Sequence, residues 1–452
     1  MVTNQQKDGT QGQGELFKRR RREIPGAERL QVLQEKLYQK AKQEPEYKFY
    51  VMYDKVFIWY VLKEAWKQVK AKHSAAGVDN QTVEDVERYG VEQYLQELGD
   101  DIRKQTYRPQ PIKRKYIPKA NGKLRPIGIG SIRDRIAQTA VKMIIEPIFE
   151  ADFEDCSHGF RPNRSSKGAV KTIKENLKSG KTEVYDADLS AYFDTIPHNK
   201  LMKVLKMRIS DPRILKLIDK FLKVPIVEDG GHKGGKKNKM GVPQGGILSP
   251  LLANIYMNLI DKAVSKPDGI FKRAGIEIVR YADDFILMSE AISDKARERL
   301  KTLLKRMELT INEDKTRNIN ATEEPFNFLG FTFRYDRDIF NGGRTKYWNV
   351  IPGKKAVNKL KEKIREILHS SLHYSPERLV EALNKLLRGW LNYFDIKGVS
   401  YASMAKRQIR HYLATSLHRY YNRKSQRKSR LYRQQAFEIL VKRYHLIDPT
   451  RF

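Results

Sequence analysis

Ile276-Glu277-Ile278-Val279-Arg280-Tyr281-Ala282-Asp283-Asp284-Phe285-Ile286-Leu287-Met288-Ser289 decides the fold. Two apolar runs, Ile276–Val279 and Phe285–Met288, flank a polar Asp-Asp, which reads as two strands joined by a tight turn. Adjacent aspartates in such a turn repel, and their desolvation is unfavourable unless a cation is present. An Asp-Asp pair in a solvated hairpin turn is nonetheless common, so the reading depends on a third aspartate. Asp188 supplies it, in Val184-Tyr185-Asp186-Ala187-Asp188-Leu189, a strand otherwise fit for burial. Strand ends converging from separate segments can set Asp188 and Asp283 on one rim. Asp186 competes for the role, because alternation puts it on the same face as Asp188 and spacing alone does not choose. Magnesium takes one or two carboxylates plus substrate phosphates. Two such ions ~3.5–4 Å apart would clamp the attacking and leaving oxygens of an in-line phosphoryl displacement.

Working outward, residues 182–345 alternate strands and helices: EVYDADLS as a strand, a helix from about 198, a Gly/Lys-rich hairpin, and a helix after Ser249-Pro250. This is an α+β pattern, an antiparallel sheet carrying helices. Residues 112–130 read as two short strands joined by an Asn121-Gly122 turn, followed by a helix over IRDRIAQTAVKMIIEPIFE. From about 28 to 105 the apolar periodicity is helical. After Pro352 helical patterns run to about residue 440, with Val357, Leu360, Ile364 and Ile367 on one face and Ser375-Pro376 opening the second helix. Residues 1–24, Gly/Gln-rich and then basic from Lys18 to Arg22, cannot bury a core. The division expected is a basic extension over 1–46, a mixed domain over 47–345, a helical domain over 346–415 and a basic tail over 416–452.

Composition narrows the partners. The 452 residues hold 88 Lys plus Arg against 54 Asp plus Glu, a net charge of +34 that attracts polyanions, nucleic acid first among them. A membrane partner would need an apolar span, a lipidation signal or an insertion helix, and none is legible. The N-terminus lacks the apolar core of a secretory signal, so a cytoplasmic location is expected. One cysteine, Cys156, rules out an internal disulfide and any zinc site built on paired thiolates.

Asp188 with Leu-Ser-Ala-Tyr-Phe-Asp, then Pro243-Gln244-Gly245-Gly246-Ile247-Leu248-Ser249-Pro250, then Tyr281-Ala282-Asp283-Asp284, resembles the ordered catalytic signature of reverse transcriptases encoded by bacterial group II introns. Ile117-Pro118-Lys119 with Arg125-Pro126, His158-Gly159-Phe160-Arg161-Pro162, Leu329-Gly330-Phe331 and Gly389-Trp390-Leu391-Asn392-Tyr393-Phe394 match further blocks in order, so the resemblance covers roughly residues 47–435. It implies a right-hand polymerase with antiparallel-sheet palm and fingers and an all-α thumb, or maturase domain. It also implies RNA-directed DNA synthesis from dNTPs on an RNA template with a DNA primer.

Residue by residue, the resemblance puts two Mg2+ ions, with Mn2+ able to substitute, at Asp188, Leu189, Asp283 and Asp284. Tyr192, with Phe193 beside it, falls where an aromatic closes the sugar pocket, and this following pair is what selects Asp188 over Asp186. Lys119 and Arg125 fall where the family grips the triphosphate, Gln244 where the loop approaches nucleotide or template, and Lys315 near the leaving pyrophosphate. Between Ala405 and Arg433 stand ten Lys or Arg and no acid, interleaved with Tyr412, Tyr420, Tyr421 and Tyr432, which fits phosphate neutralisation and base stacking. The RNA-binding positions implied are Arg19, Arg20, Lys406, Arg407, Arg410, Arg423, Lys424, Arg427 and Lys428, with structured group II intron RNA and a DNA target as partners. The chain departs from many members in lacking the cysteine pairs of a terminal His-Asn-His endonuclease. Two alternatives stand beside this reading: a maturase acting mainly as an RNA chaperone, and a domesticated enzyme of phage defence or CRISPR adaptation.

Overall fold

The computed structural model describes residues 25–72, 75–118, 124–228, 238–337, 345–423 and 431–452. Within them the strands are, in chain order, β1 (Ile112–Pro118), β2 (Leu124–Ile129), β3 (Glu183–Ala187), β4 (Ile226–Glu228), β5 (Glu277–Tyr281), β6 (Asp284–Ser289), β7 (Arg317–Asn320), β8 (Phe326–Phe328), β9 (Phe331–Arg337) and β10 (Lys346–Pro352). Helices fill most of the remainder, so the class is α+β as expected. The chain forms two compact units, each discontinuous in sequence: one takes the residues up to Phe153 and Ala191–Tyr256, the other Glu154–Ser190 and Met257–Phe452.

The first unit is built on the helix Ile132–Glu150. Ser131 caps it by accepting from the Asp134 amide, and Ile136, Ala140, Val141, Ile144, Ile145 and Ile148 are fully buried. Burying each of the isoleucine and valine side chains among them contributes about 1.5–3 kcal/mol. The helices Gly26–Gln43 and Trp59–Lys70 pack against it. β1 and β2 pair antiparallel from Lys113↔Ile129 to Pro118↔Leu124; the Asn-Gly turn expected between them lies outside the described residues.

The Gly/Lys-rich hairpin expected before the helix at Ser249-Pro250 falls largely on residues 229–237, which lie outside the described residues. β4 pairs with β1, in parallel, through Ile112↔Ile226, and no return strand follows it among the described residues. The sheet that holds β1 and β2, expected to be antiparallel, is mixed, in the order β2-β1-β4. Parallel neighbours are joined by long crossovers, so a three-residue strand gives no local sign of its partner.

In the second unit a four-stranded antiparallel sheet runs β5-β6-β3-β7, with β3 between two neighbours. β8, β9 and β10 form a second antiparallel sheet. The four helices after Pro352 share one core with both sheets and with the helix Ser166–Lys178: Val184, Val279 and Ile286 join Phe331, Val350, Ile364, Leu383, Leu387 and Ile409. On the helix Lys354–Ser370 the buried residues are Val357, Leu360, Ile364 and Leu368, and Ile367, half-buried, packs against the same core as expected. Steps of three, four and four keep that stripe on one face. Ser375 caps the next helix, Pro376–Phe394, with Pro at its first position as expected. No helix among the described residues is long and apolar enough to cross a membrane.

Candidate active site

Strand β3 ends at Ala187 and Asp188 is the first residue past it. The Asp188 carbonyl accepts from the Asn312 amide at 2.8 Å, its own amide donates to Thr316 Oγ1 at 3.3 Å, and Ser190 N donates to Thr310 O at 2.9 Å. Leu189, buried, bridges to Ile311. In the β5–β6 hairpin Tyr281 pairs with Asp284, leaving Ala282 and Asp283 as the turn. The β3–β6 register ends at Ala187↔Phe285, the pair that directly precedes Asp188 on one strand and directly follows Asp284 on the other.

The carboxylates feel one another. Partial desolvation, then the charges of Asp283, Asp188 and Asp186, push the Asp284 carboxyl up to about 6. Desolvation and Asp188 push Asp186 to about 6 as well, against the opposing charge of Arg317. Lys315 Nζ lies 3.0 Å from Asp188 Oδ2, an ammonium where a cation is wanted. Among the described residues no three acids, imidazoles or thiols close into a finished metal cage. Magnesium fits such an open set of oxygens, since it usually keeps waters and substrate phosphates among its ligands.

Beneath the turn lies a support that sequence reasoning missed. Arg280 and Asp261 are both fully buried and paired, Arg280 Nε donating to Asp261 Oδ1 at 2.8 Å and Nη2 to Oδ2. Arg280 Nη2 also donates to Ser157 Oγ at 2.7 Å, and Nη1 to the Ala282 carbonyl at 2.9 Å. The segment before Gly159 is stitched to β5 by Arg280 N to Cys156 O at 2.9 Å and His158 N to Arg280 O at 2.8 Å. A Cβ on Gly159 would stand 2.5 Å from the Ala282 amide nitrogen. The available signals were an arginine inside an apolar strand and a lone aspartate in the apolar helix Ser249–Ser265.

In the first unit, Tyr192 is 2% exposed and donates through its hydroxyl to the Ala253 carbonyl at 2.6 Å, with the Phe193 ring edge-on at 5.6 Å. Gln244 Nε2 donates to Asp194 Oδ2 at 3.1 Å, and its carbonyl accepts from Gly128 N at 2.6 Å. Gly245 has φ +97°, and a Cβ there would meet Gly128 O at 2.7 Å, so the loop lies flush on β2. A cleft opens here, lined by Arg114, Asp194, Asn238 and Gln244. Arg125 is exposed on β2, opposite Ile117; Lys119 lies outside the described residues.

The basic helix Ser403–Arg423 divides into two classes of cation. Lys406 is paired with Asp395, and Arg410 reaches Glu438 at 2.8 Å and Asp448 at 3.1 Å, so both are engaged within the fold. Arg407, Arg419 and Arg423 are exposed. Of the four tyrosines expected to offer faces to bases, Tyr420 and Tyr421 are instead core rings, 7% and 3% exposed, with the Tyr420 hydroxyl on the Ser371 carbonyl. They continue the buried stripe of Ile409, Leu413 and Leu417, and helical spacing turns them inward. Arg19, Arg20, Lys424, Arg427 and Lys428 lie outside the described residues.

Comparison with known proteins adds to this geometry. The family described as reverse transcriptase (RNA-dependent DNA polymerase) matches residues 117–333, and the group II intron, maturase-specific domain matches residues 357–436. Protein YkfC of Escherichia coli is 38% identical over 301 residues, which cover 58% of this chain and 77% of that protein. The group II intron-encoded protein LtrA of Lactococcus lactis is 31% identical over 358 residues, covering 65% of this chain and 58% of LtrA. A putative COX1/OXI3 intron 1 protein of Saccharomyces cerevisiae is 30% identical over 287 residues, 53% of this chain and 34% of that protein.

Proposed function

Because the chain belongs to the reverse transcriptases that carry a group II intron maturase-specific domain, and so to the RNA-directed DNA polymerases, we propose that Asp188, Asp283 and Asp284 are its metal-binding carboxylates. The reaction is attack of a primer 3′-hydroxyl on a dNTP, directed by an RNA template. One observation carries the assignment: the β3–β6 register ends beside Asp188 and Asp284, at Ala187↔Phe285, and the Asp284 carboxyl is pushed to about 6 by desolvation and by its acidic neighbours, Asp283 and Asp188 first. Crowded carboxylates of this kind are relieved by a divalent cation. Two magnesium ions bound there, with the Leu189 carbonyl as a further oxygen, would supply charge stabilisation at the attacking and leaving oxygens.

The protein's own residues do the rest. Lys315, beside Asp188, meets the negative charge of the departing pyrophosphate. Lys119 and Arg125 hold the triphosphate, Arg as a planar fork and Lys as a point charge. Gln244, on a loop pressed against β2, contacts nucleotide or template, and Tyr192 excludes a ribose hydroxyl. In this reading β1 and β2 belong to the fingers, the β5-β6-β3-β7 sheet is the palm, and the helices after Pro352 are the thumb. The basic thumb and the N-terminal Lys18–Arg22 run grip structured group II intron RNA, to assist splicing and mobility at a DNA target, in the cytoplasm.

The test is primer extension on an RNA template in magnesium. Asp188→Ala or Asp283→Ala should abolish extension while leaving fold and RNA affinity intact, because each removes an oxygen from a site whose metals lower the barrier by several kcal/mol. Extension by either variant at more than a few per cent of the parent's rate would overturn the assignment.

A further inference from the structure

We propose that the buried Arg280–Asp261 pair, with Gly159, is a positioning device that holds the Ala282-Asp283 turn in the one shape in which Asp283 can serve as a ligand. The proposal rests on the reading of Asp283 as a metal ligand, and it deepens that reading. The turn needs outside support for two reasons. Ala282 has φ +61°, a left-handed conformation that non-glycine residues disfavour. Asp283 in the turn and Asp284 at its closing pair are adjacent, so two like charges crowd one tight hairpin.

The support reaches the turn from two directions. Arg280 Nη1 donates to the Ala282 carbonyl at 2.9 Å, a charge-assisted bond made where water is excluded, since Arg280 is fully buried. Gly159 lies against the preceding peptide, Tyr281–Ala282, so close that a Cβ would stand 2.5 Å from the Ala282 nitrogen and 3.0 Å from the Tyr281 carbonyl carbon. Asp261 and Ser157 also hold the guanidinium in place. A buried ion pair is a weak source of stability compared with apolar residues of the same volume. What an apolar pair cannot do is donate to the Ala282 carbonyl. A lysine at 280 would also fail, since a single ammonium has no planar fork to span Asp261, Ser157 and Ala282 together.

The experiment compares the full-length parent with two variants by hydrogen exchange without metal and by primer extension across a magnesium series. In the double variant Arg280→Met with Asp261→Leu both charges are removed together, so none is left buried and unpaired. In Gly159→Ala the ion pair stays and the turn is displaced. For both, amides of residues 280–284 should exchange about tenfold faster while β3 and β7 keep parental rates, as local rather than global opening requires. The magnesium concentration for half-maximal extension should rise and kcat fall by about a hundredfold, the order of loss expected when a ligand is misplaced by an ångström, with primer–template affinity unchanged. Parental turn exchange and magnesium dependence in a folded variant would overturn the proposal, and so would acceleration spread evenly over the sheet, which would make the pair core filling. Should the double variant not fold, Gly159→Ala decides by the same two measurements. Asp283→Asn is run beside them: full extension by that variant would remove the metal assignment itself, whereas an inactive Asp283→Asn with a parental Gly159→Ala removes only the brace.

Discussion

At the scale of single residues, Tyr192 is where burial and proposed role meet. Its ring is enclosed and its hydroxyl is committed to Ala253, so the two parts of the side chain can be separated by mutation. Tyr192→Phe keeps the ring and loses one buried hydrogen bond, a change worth about 1 kcal/mol of stability. It should preserve discrimination against ribonucleotides. Tyr192→Ala removes the ring, and incorporation of ribonucleotides relative to deoxynucleotides should rise while the magnesium dependence stays parental. Single-nucleotide extension with matched dNTP and NTP measures the ratio, and an unchanged ratio in Tyr192→Ala would make the residue simply core. The aspartates, Tyr192 and Gln244 were singled out in the sequence because each stands in a short motif whose chemistry is local. Arg280, Asp261 and Gly159 were not, because their meaning lies in contacts across 19 and 123 positions of sequence, and a polar residue in an apolar run announces only that it must find a partner.

At the scale of elements, the Cys156–Arg161 segment carries a buried imidazole with a pH consequence. His158 is 5% exposed, its Nε2 has no hydrogen-bond partner, and burial, then Arg164 and Arg161, push it down to about 4. The unfolded chain titrates near 6.5 and so takes up the proton first, which means that this stability is full above that pH and is lost as pH falls toward 4. The parent should therefore lose about 1–2 kcal/mol more than His158→Asn between pH 7 and pH 5 in denaturant unfolding. Asp186 and Asp284, raised to about 6, act with the opposite sign in both proteins, so the difference between parent and variant isolates the histidine. Equal losses would mean that His158 is not the group responsible. The elements themselves were largely readable: the helix Ile132–Glu150, the β5–β6 hairpin and the capped helix at Ser375 follow from periodicity and end signals. Pairing was less readable, since nothing in Ile226-Val227-Glu228 names β1 as its neighbour. On the helix Ser403–Arg423 a count of tyrosines could not tell which side of the cylinder faces the core.

At the scale of the whole molecule, a net charge of +34 predicts binding dominated by counterion release, but not by every cation. Replacing Arg419, Arg423, Lys424, Arg427 and Lys428 with Gln should lower the slope of log affinity against log salt by about 0.7–0.9 for each phosphate that is no longer neutralised. Extension of a short pre-annealed primer at saturation should survive. Lys406→Gln and Arg410→Gln should instead cost about 0.5–1 kcal/mol of stability with the salt slope unchanged, because their charges are spent on Asp395, Glu438 and Asp448. Affinity for a structured intron RNA across a salt series, beside thermal unfolding, separates the two classes; a parental slope in the fivefold variant would make that run a solvated face. The interleaving of the two units has its own consequence during synthesis. β3 lies between β6 and β7, yet about a hundred residues must be translated after it before either partner exists, which at roughly 5–20 residues per second leaves it waiting on the ribosome for several seconds. The strand that leads into Asp188 is thus made early and completed late, and the nascent chain carries both its edges open until Asp284–Ser289 emerges.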